Sequence, residues 1–241
     1  MLKNPEKIIA IVPAFNEKGK IGRVVEKTRQ TALADLVVAI DDCSHDGTYL
    51  EAETAGAVVI RHRKNMGVGA AIRSGIYYGL EHGYDIGVVL SGDDQHHPQE
   101  IAGVIEPILK NECDMVQGSR WLKGGKVENE RPFRVVMTKL YSLFFTLVTG
   151  RKITDATNGF RAFRLSLFKS TINIGKPWLD RYELEPYILF KAVKNRSIRL
   201  KEVPITISYH THRKEFTKMK PFSDWWRIAK PVILLALKLR R

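Results

Sequence analysis

The sequence predicts an α/β fold, in which helices flank both faces of a mostly parallel sheet. The first half of the 241-residue chain alternates short apolar runs with segments of helical periodicity, a pattern typical of such sheets. Apolar residues make up 44% of the chain, an ordinary fraction for a globular protein. A chain of this length can bury a substantial core without disulfides.

Five apolar runs predict strands in the first half, and helical patterns separate them. Ligands of parallel sheets bind beyond the carboxyl ends of the strands, so the residues after each run are candidates for a site. The predicted strands cover residues 8–12, 36–40, 57–60, 86–90 and 115–116. The predicted helices cover residues 20–33, 48–55, 67–82 and 98–110.

The second half contains a helix-length segment at residues 131–150 that is apolar around most of its circumference. Only Thr138, Ser142 and Thr146 form a polar stripe, at four-residue spacing. About 15 residues rising 1.5 Å each cannot cross a bilayer core of about 30 Å. We therefore expect this helix either to be buried in the protein or to lie in a membrane interface.

The chain is expected to form one domain over residues 1–220, with a nucleotide half at 1–120 and an acceptor half at 121–220. Residues 221–241 predict a basic amphipathic helix, because two tryptophans and an aliphatic run alternate with lysines and arginines. The acceptor half further predicts a helix at 183–194 and strands at 198–200 and 205–209.

The formal net charge is +13, which favours anionic partners such as phosphorylated substrates, nucleic acid or an anionic membrane. A nucleic-acid-binding module is disfavoured, because the aromatic residues lie inside apolar runs instead of alternating with basic ones. Cys43 and Cys113 form neither a disulfide framework nor a zinc motif, and a reducing compartment fits best. The N-terminal segment is not expected to be a signal peptide.

Polar side chains follow four of the five predicted strands. Any one of these groups could belong to a turn or a helix cap, but four strand ends at one edge of a sheet indicate a site. The residues concerned are Pro13, Asn16 and Glu17 after the first strand, Asp41 and Asp42 after the second, Ser91, Asp93 and Gln95 after the fourth, and Ser119 and Arg120 after the fifth.

The loop after the fourth strand offers oxygen ligands suited to Mg²⁺ or Mn²⁺ held jointly with substrate phosphates. Asp94 is an additional carboxylate that could contribute. Zinc is disfavoured, because the adjacent His96 and His97 should point apart in a loop. The sequence contains no P-loop, dinucleotide fingerprint, nucleophile elbow or convincing catalytic triad. Phosphates would therefore be held by the metal and by arginines.

Six motifs in this order resemble the family 2 glycosyltransferases with the GT-A fold: IVPAFNE, AIDDCSHDGT, RHRKNMGVGAAIRSG, LSGDDQHHP, MVQGSRWLKGG and TDATNGFRAFR. Within that family, the set most resembles the dolichol-phosphate mannose synthase branch over roughly residues 8–220. The resemblance implies a Mg²⁺- or Mn²⁺-dependent, inverting transfer of a hexose from a GDP-mannose or UDP-glucose type of donor to a polyprenyl or dolichyl phosphate.

The resemblance also implies roles for individual residues. Ser91 stands where the family has the first aspartate of its metal-binding motif, so Asp93 is expected to carry more of the metal binding. The implied metal ligands are Ser91, Asp93 and Gln95, and the implied catalytic residues are Asp93, Arg120, Asp155 and Arg161. The nucleotide-sugar site would comprise Pro13, Phe15, Glu17, Ile40, Asp41, Asp42, Ser91, Gly92, Asp93, Gln95, Arg120, Arg213 and Lys218.

The nature of the acceptor decides whether the enzyme needs a base. A sugar hydroxyl has to lose a proton, for which Asp155 is the candidate base, whereas a lipid phosphate is already anionic and needs positioning by cations. The many cations of the second half favour a phosphate acceptor, with Arg131, Arg134 and Asn158 as its predicted contacts. Peripheral attachment to the cytoplasmic face of a membrane is then expected.

Two alternatives remain at this point. A family 2 enzyme could instead act on a saccharide or protein hydroxyl. A nucleotidyltransferase is also α/β with acidic metal ligands, but it should carry a glycine-rich and basic loop where this chain has Pro13 to Glu17.

Overall fold

The computed structural model describes residues 6–129, 132–209 and 223–239. A seven-stranded sheet forms its centre, in the order β3-β2-β1-β4-β7-β5-β8, and β6 pairs with β9 in a small second sheet. The strands are β1 (Ile8–Ala14), β2 (Leu36–Asp41), β3 (Val58–Arg61), β4 (Ile86–Val89), β5 (Met115–Ser119), β6 (Lys126–Glu128), β7 (Arg161–Arg164), β8 (Leu200–Pro204) and β9 (Thr206–Ser208).

Eight α-helices lie among the described residues. They are α1 (Ile21–Gln30), α2 (Thr48–Thr54), α3 (Val68–Glu81), α4 (Ile101–Leu109), α5 (Pro132–Thr149), α6 (Leu167–Ser170), α7 (Leu184–Lys194) and α8 (Ser223–Ala236). Short 3₁₀ turns at Pro98–Glu100 and Pro177–Leu179 precede α4 and α7.

The predicted mostly parallel α/β fold is confirmed. Six of the seven strands run parallel, and β7 is antiparallel to both of its neighbours, β4 and β5. Sequence analysis did not predict β7, which lies inside the TDATNGFRAFR motif, nor β6. Two predicted boundaries were wrong: the helix expected from Pro98 begins with a 3₁₀ turn, and the strand expected at 198–200 starts at Leu200 and runs to Pro204.

Two hydrophobic cores cover the two faces of the sheet, because successive strand residues point to opposite sides. Ile9 and Ile11 of β1 belong to the core beneath α3, α5, α7 and α8. Ile8, Ala10 and Val12 belong to the core beneath α1 and α4. The helices thereby hold the strand ends of the central sheet in fixed positions.

Helix α8 packs into the first of these cores. Ile228, Val232 and Leu235 are buried there, and the Tyr141 hydroxyl of α5 donates to the Ile228 carbonyl at 2.9 Å. The predicted boundary at residue 220 remains a prediction. Among the described residues, no helix combines the length and apolarity that crossing a bilayer requires.

Helix α5 buries its polar stripe and exposes apolar side chains. Thr138 and Ser142 are 3% and 4% exposed. Ser142 Oγ accepts the backbone N–H of Ala156 at 3.0 Å, and Thr146 Oγ1 accepts that of Ile153 at 3.1 Å. The stripe thus holds the segment 153–156 against the sheet. The exposed apolar side chains are Phe133, Val136, Leu140, Leu143 and Leu147, at spacings of three and four residues.

Candidate active site

The carboxyl ends of β1 and β2 lie side by side, since these strands pair in parallel up to their last residues. Asn16 follows β1 with a left-handed φ of 51°, which an asparagine tolerates better than most residues. Its backbone N–H donates to Ser44 Oγ at 2.9 Å, and the N–H of Glu17 donates to Thr48 Oγ1 at 2.7 Å. Residues after β2 therefore fix the turn after β1.

The residues predicted to hold the nucleoside differ in their exposure. Pro13 and Phe15 are partly exposed at this edge. Glu17 is 7% exposed and Asp41 is 1% exposed. The Ile40 side chain is fully buried and packs in the first core, so its side chain stabilises the sheet instead of lining the edge.

The two acidic side chains at this edge form ion pairs. Glu17 Oε2 lies 2.6 Å from Lys20 Nζ, and Asp41 Oδ2 lies 3.0 Å from Arg61 Nε. The side chains of Glu17 and Asp41 are thereby held in place at the ends of β1 and β2.

Asp42 organises the loop between β3 and α3. Its Oδ1 accepts the backbone N–H of Met66 at 2.9 Å, and its Oδ2 accepts that of Gly67 at 2.7 Å. His62 Nδ1 lies 2.7 Å from Asp42 Oδ1, and His62 Nε2 lies 2.9 Å from Ser74 Oγ. Burial raises the pKa of Asp42, but these hydrogen bonds outweigh it and lower the pKa below its ordinary value.

The loop after β4 carries the predicted metal ligands. Gly92 lies so close to β1 that a Cβ there would be 3.0 Å from the Pro13 carbonyl oxygen, so a larger residue would displace the loop. Asp93 Oδ1 accepts the backbone N–H of Gln95 at 3.1 Å. Ser91, Asp93 and Gln95 are all partly exposed. A carboxylate, an amide and a hydroxyl are hard oxygen donors, which fit Mg²⁺ or Mn²⁺.

Within the described parts of the chain, no three His, Cys, Asp or Glu side chains are placed to bind a metal together.

Asp94, the additional carboxylate considered above, is paired with basic side chains of α1. It is 7% exposed, and its two oxygens lie 2.9 Å from Arg23 Nε and 3.2 Å from Lys27 Nζ. Its backbone φ of 61° lies in the left-handed region. The carboxylate therefore anchors the loop to α1.

The two histidines of this loop also have structural contacts. His96 Nδ1 accepts the Ser91 N–H at 3.0 Å, and its ring stacks on Phe160 with centroids 5.1 Å apart. Burial, together with the charge of Arg120, lowers the pKa of His96 to about 3. His97 Nε2 pairs with Ser208 Oγ at 2.7 Å.

Arg120 and Asp155 form a buried bidentate ion pair. Arg120 Nε and Nη2 donate to the two carboxylate oxygens of Asp155 at 2.7 and 2.9 Å. The two side chains are 3% and 0% exposed. Arg120 also donates to Thr157 Oγ1 at 2.6 Å and to the Tyr209 hydroxyl at 3.3 Å. The structure thus brings these two motif residues together, and it buries the carboxylate that was the candidate base.

Glu202 of β8 holds the segment that carries Asp155. Its carboxylate accepts the backbone N–H groups of Thr154 and Asp155 at 2.9 and 3.1 Å, and the Thr154 hydroxyl at 2.8 Å. Sequence analysis missed Glu202, because it lies 47 residues from Asp155 and belongs to no motif.

Asn158, Gly159 and Arg161 lie beside the start of α7. Arg161 is 2% exposed, donates to the Glu185 carbonyl at 3.1 Å and pairs with the Glu185 carboxylate at 3.3 Å. A Cβ on Gly159 would lie 3.1 Å from that carboxylate. Burial lowers the pKa of Arg161. Among the residues that the structure describes, the buried Asn158 Nδ2 and Arg161 Nε have no hydrogen-bond acceptor.

Cations gather next to this segment. The Arg134 guanidinium lies 5.0 Å from the centre of the Tyr209 ring. Trp121 has Arg120 at 5.4 Å and Lys139 at 4.8 Å from its ring centre. The predicted contacts Arg131, Arg213 and Lys218 lie outside the described residues, so their roles remain predictions.

The family model described as "Glycosyl transferase family 2" matches residues 9–172, which include every strand end discussed above. The chain belongs to the family 2 glycosyltransferases. It is therefore a transferase enzyme, and this result decides against the nucleotidyltransferase alternative.

Two relatives show similarity over most of their length. A UDP-N-acetylglucosamine–dolichyl-phosphate N-acetylglucosaminyltransferase of Methanococcus voltae is 34% identical over 222 residues, which cover 84% of this chain and 86% of the relative. An undecaprenyl-phosphate mannosyltransferase of Micrococcus luteus is 30% identical over 205 residues, which cover 83% of each chain.

A solved structure confirms the GT-A fold. Glucosyl-3-phosphoglycerate synthase from Mycobacterium tuberculosis, in complex with Mn²⁺, UDP and phosphoglyceric acid, has a TM-score of 0.71 at 19% identity. The superposition covers 97% of this chain and 78% of that one.

Proposed function

We propose that this enzyme transfers a hexose, with inversion, from a GDP-mannose or UDP-glucose type of donor to a polyprenyl or dolichyl phosphate at a membrane surface. In the reaction, a phosphate oxygen of the acceptor forms a bond to the anomeric carbon. The bond from that carbon to the nucleoside diphosphate breaks, and the diphosphate leaves with the electron pair. Both relatives described above are named for lipid-phosphate acceptors.

The observation that favours a phosphate acceptor is the pairing of Asp155 with Arg120. A hydroxyl acceptor needs a carboxylate to take its proton, but both oxygens of Asp155 accept hydrogen bonds from Arg120 and the side chain is fully buried. A phosphate acceptor is already ionised and needs no base. Arg134 and Lys139 lie on successive turns of α5 and supply positive charge that would attract the acceptor phosphate.

Asp93, with Ser91 and Gln95, would hold the Mg²⁺ or Mn²⁺ cofactor together with the donor diphosphate. The metal would stabilise the negative charge that develops on the leaving phosphate. Asp93 would contribute its carboxylate, because the loop presents it partly exposed while Asp94 is occupied by Arg23 and Lys27.

Membrane contact is proposed through α5. An ordinary surface helix exposes polar side chains and buries apolar ones. Helix α5 buries Tyr141 and Phe145, but it leaves the five other large apolar side chains described above exposed. Exposed apolar residues beside Arg134 and Lys139 suit the headgroup region of an anionic membrane, where the apolar face is buried and the basic groups contact phosphates. The enzyme would then be a peripheral protein on the cytoplasmic face of the membrane.

A donor panel tests this function. Purified protein is incubated with a short-chain polyprenyl phosphate, Mg²⁺ or Mn²⁺, and radiolabelled GDP-mannose, UDP-glucose or UDP-N-acetylglucosamine. We expect metal-dependent transfer of label from one donor into the organic phase. Asp93→Asn should abolish that transfer, while the matched Asp94→Asn variant should keep its metal-activation constant.

Two results would contradict the proposal. Transfer to a saccharide hydroxyl, with none to the lipid phosphate, would exclude the lipid acceptor and require Asp155 to separate from Arg120 and act as a base. Equal metal activation of the wild type and Asp93→Asn would exclude Asp93 as a metal ligand.

A further inference from the structure

The loop at residues 91–97, the metal loop, lies against strand β9 of the small sheet. The Ser208 backbone N–H donates to the Gln95 carbonyl at 3.0 Å. His96, the next residue of the loop, forms an isolated antiparallel bridge with Ile207. Strand β9 therefore holds the backbone of the metal loop at Gln95, which is one of the predicted metal ligands.

A chain of side-chain hydrogen bonds joins the metal loop to both strands of the small sheet. Glu128 of β6 and Ser208 of β9 are partners in this sheet, and the Ser208 hydroxyl donates to the Glu128 carboxylate. A hydroxyl has a single proton to donate, so at its 2.7 Å contact with His97 Nε2 the ring N–H is the donor. The bonds thus run from His97 through Ser208 to Glu128, an arrangement in which each bond polarises the next.

The metal loop is anchored on both sides of Gln95. On one side, the Asp94 carboxylate is paired with two basic side chains of α1. On the other side, the His97 ring is bonded to Ser208. Asp93 and Gln95 alternate with these anchors and remain partly exposed. A metal site needs its ligands held within about 0.5 Å of their productive positions, and hydrogen bonds from residues around the ligands commonly provide this precision.

We propose that Ser208 is a positioning residue for the metal loop: its hydroxyl, anchored by Glu128, holds His97 and so places Gln95 to bind a divalent cation. This inference rests on the proposed function, in which the cation is bound together with the donor diphosphate. Removal of the hydroxyl leaves the His97 N–H without this acceptor. The loop can then adopt positions in which Gln95 is a poorer ligand.

Binding of Mn²⁺, followed by electron paramagnetic resonance, tests this role directly. The full-length wild type, Ser208→Ala and Ser208→Thr are titrated with Mn²⁺ in the presence of UDP or GDP. Ser208→Ala keeps the backbone N–H but should bind Mn²⁺ about three- to tenfold more weakly. Ser208→Thr keeps the hydroxyl and should restore the affinity. The matched control is Ser197→Ala, which removes an exposed serine hydroxyl bonded to Asn195.

A double-mutant cycle tests whether Ser208 acts through His97. His97→Ala and Ser208→Ala remove the same hydrogen bond, so their combined effect on Mn²⁺ affinity should be smaller than the sum of the two separate effects. Fully additive effects would show that the two side chains act independently and would overturn the proposal.

The outcomes separate this inference from the function on which it rests. Unchanged Mn²⁺ affinity in Ser208→Ala, even with a lower midpoint of urea unfolding, would show that Ser208 serves the fold alone. Equal weakening in Ser197→Ala would show that the effect is not specific to the metal loop. Either result overturns the role of Ser208 and leaves the metal-dependent transfer intact. A wild-type protein that binds no Mn²⁺ with either nucleotide would refute the metal-dependent function, and this inference with it.

Discussion

Replacing Leu140 and Leu143 of α5 by serine should detach the enzyme from membranes without unfolding it. These side chains are 53% and 55% exposed. Full burial of a leucine is worth about 1.5–3 kcal/mol, so each half-exposed side chain can gain about 1 kcal/mol on entering lipid. Loss of both should cost about 2 kcal/mol, which corresponds to about 30-fold weaker partitioning.

Flotation with vesicles containing anionic phospholipid measures this partitioning. The matched control replaces Leu50 and Leu109 by serine, since these leucines of α2 and α4 are 56% and 46% exposed. Thermal unfolding should change little in either double variant. The reasoning is refuted if the α5 variant binds vesicles as tightly as the wild type, or if the control variant detaches equally.

Three further results are expected. Glu202→Gln should lower kcat while the donor KM changes little, because the amide cannot accept all the hydrogen bonds that hold the Asp155 segment. Steady-state kinetics would measure both constants, and a change confined to KM would contradict this expectation. Ser142→Ala should leave the N–H of Ala156 without an acceptor and lower the unfolding free energy by about 1–3 kcal/mol in urea titrations; an unchanged midpoint would show that another group accepts this N–H. Burial raises the pKa of Asp42, but hydrogen bonds outweigh this effect and lower the pKa below its ordinary value. The ionised Asp42 carboxylate therefore stabilises the folded protein above about pH 4, and this stabilisation is lost as the pH falls. In urea titrations from pH 3 to 7, Asp42→Asn should flatten this acid limb, and an equally steep limb would contradict the assignment.

Much of the fold could be predicted from the order of residues along the chain. Alternating apolar runs and helical periodicity are local properties, so the five strands of the first half and their helices were found within a few residues of their ends. β7 escaped because its four residues, two of them arginines, carry no strand pattern. Arg161 is buried in this strand only because Asn158 and Glu185 supply acceptors for its guanidinium.

The strand-end residues could likewise be predicted, but their partners could not. Asp93 and Asp94 are adjacent and chemically identical, yet only Asp94 is paired with Arg23 and Lys27. That pairing depends on where α1 packs, which the loop sequence does not encode by itself.

The sequence by itself determined the α/β class, the family and the edge of the sheet at which the polar residues gather, because periodicity and motifs involve residues that are close together in the sequence. Only the tertiary structure decided which carboxylates are occupied and which remain available. It paired Asp155 with Arg120, paired Asp94 with Arg23 and Lys27, and turned the polar stripe of α5 inward. Each of these outcomes depends on side chains that are distant in sequence and meet only when the sheet assembles.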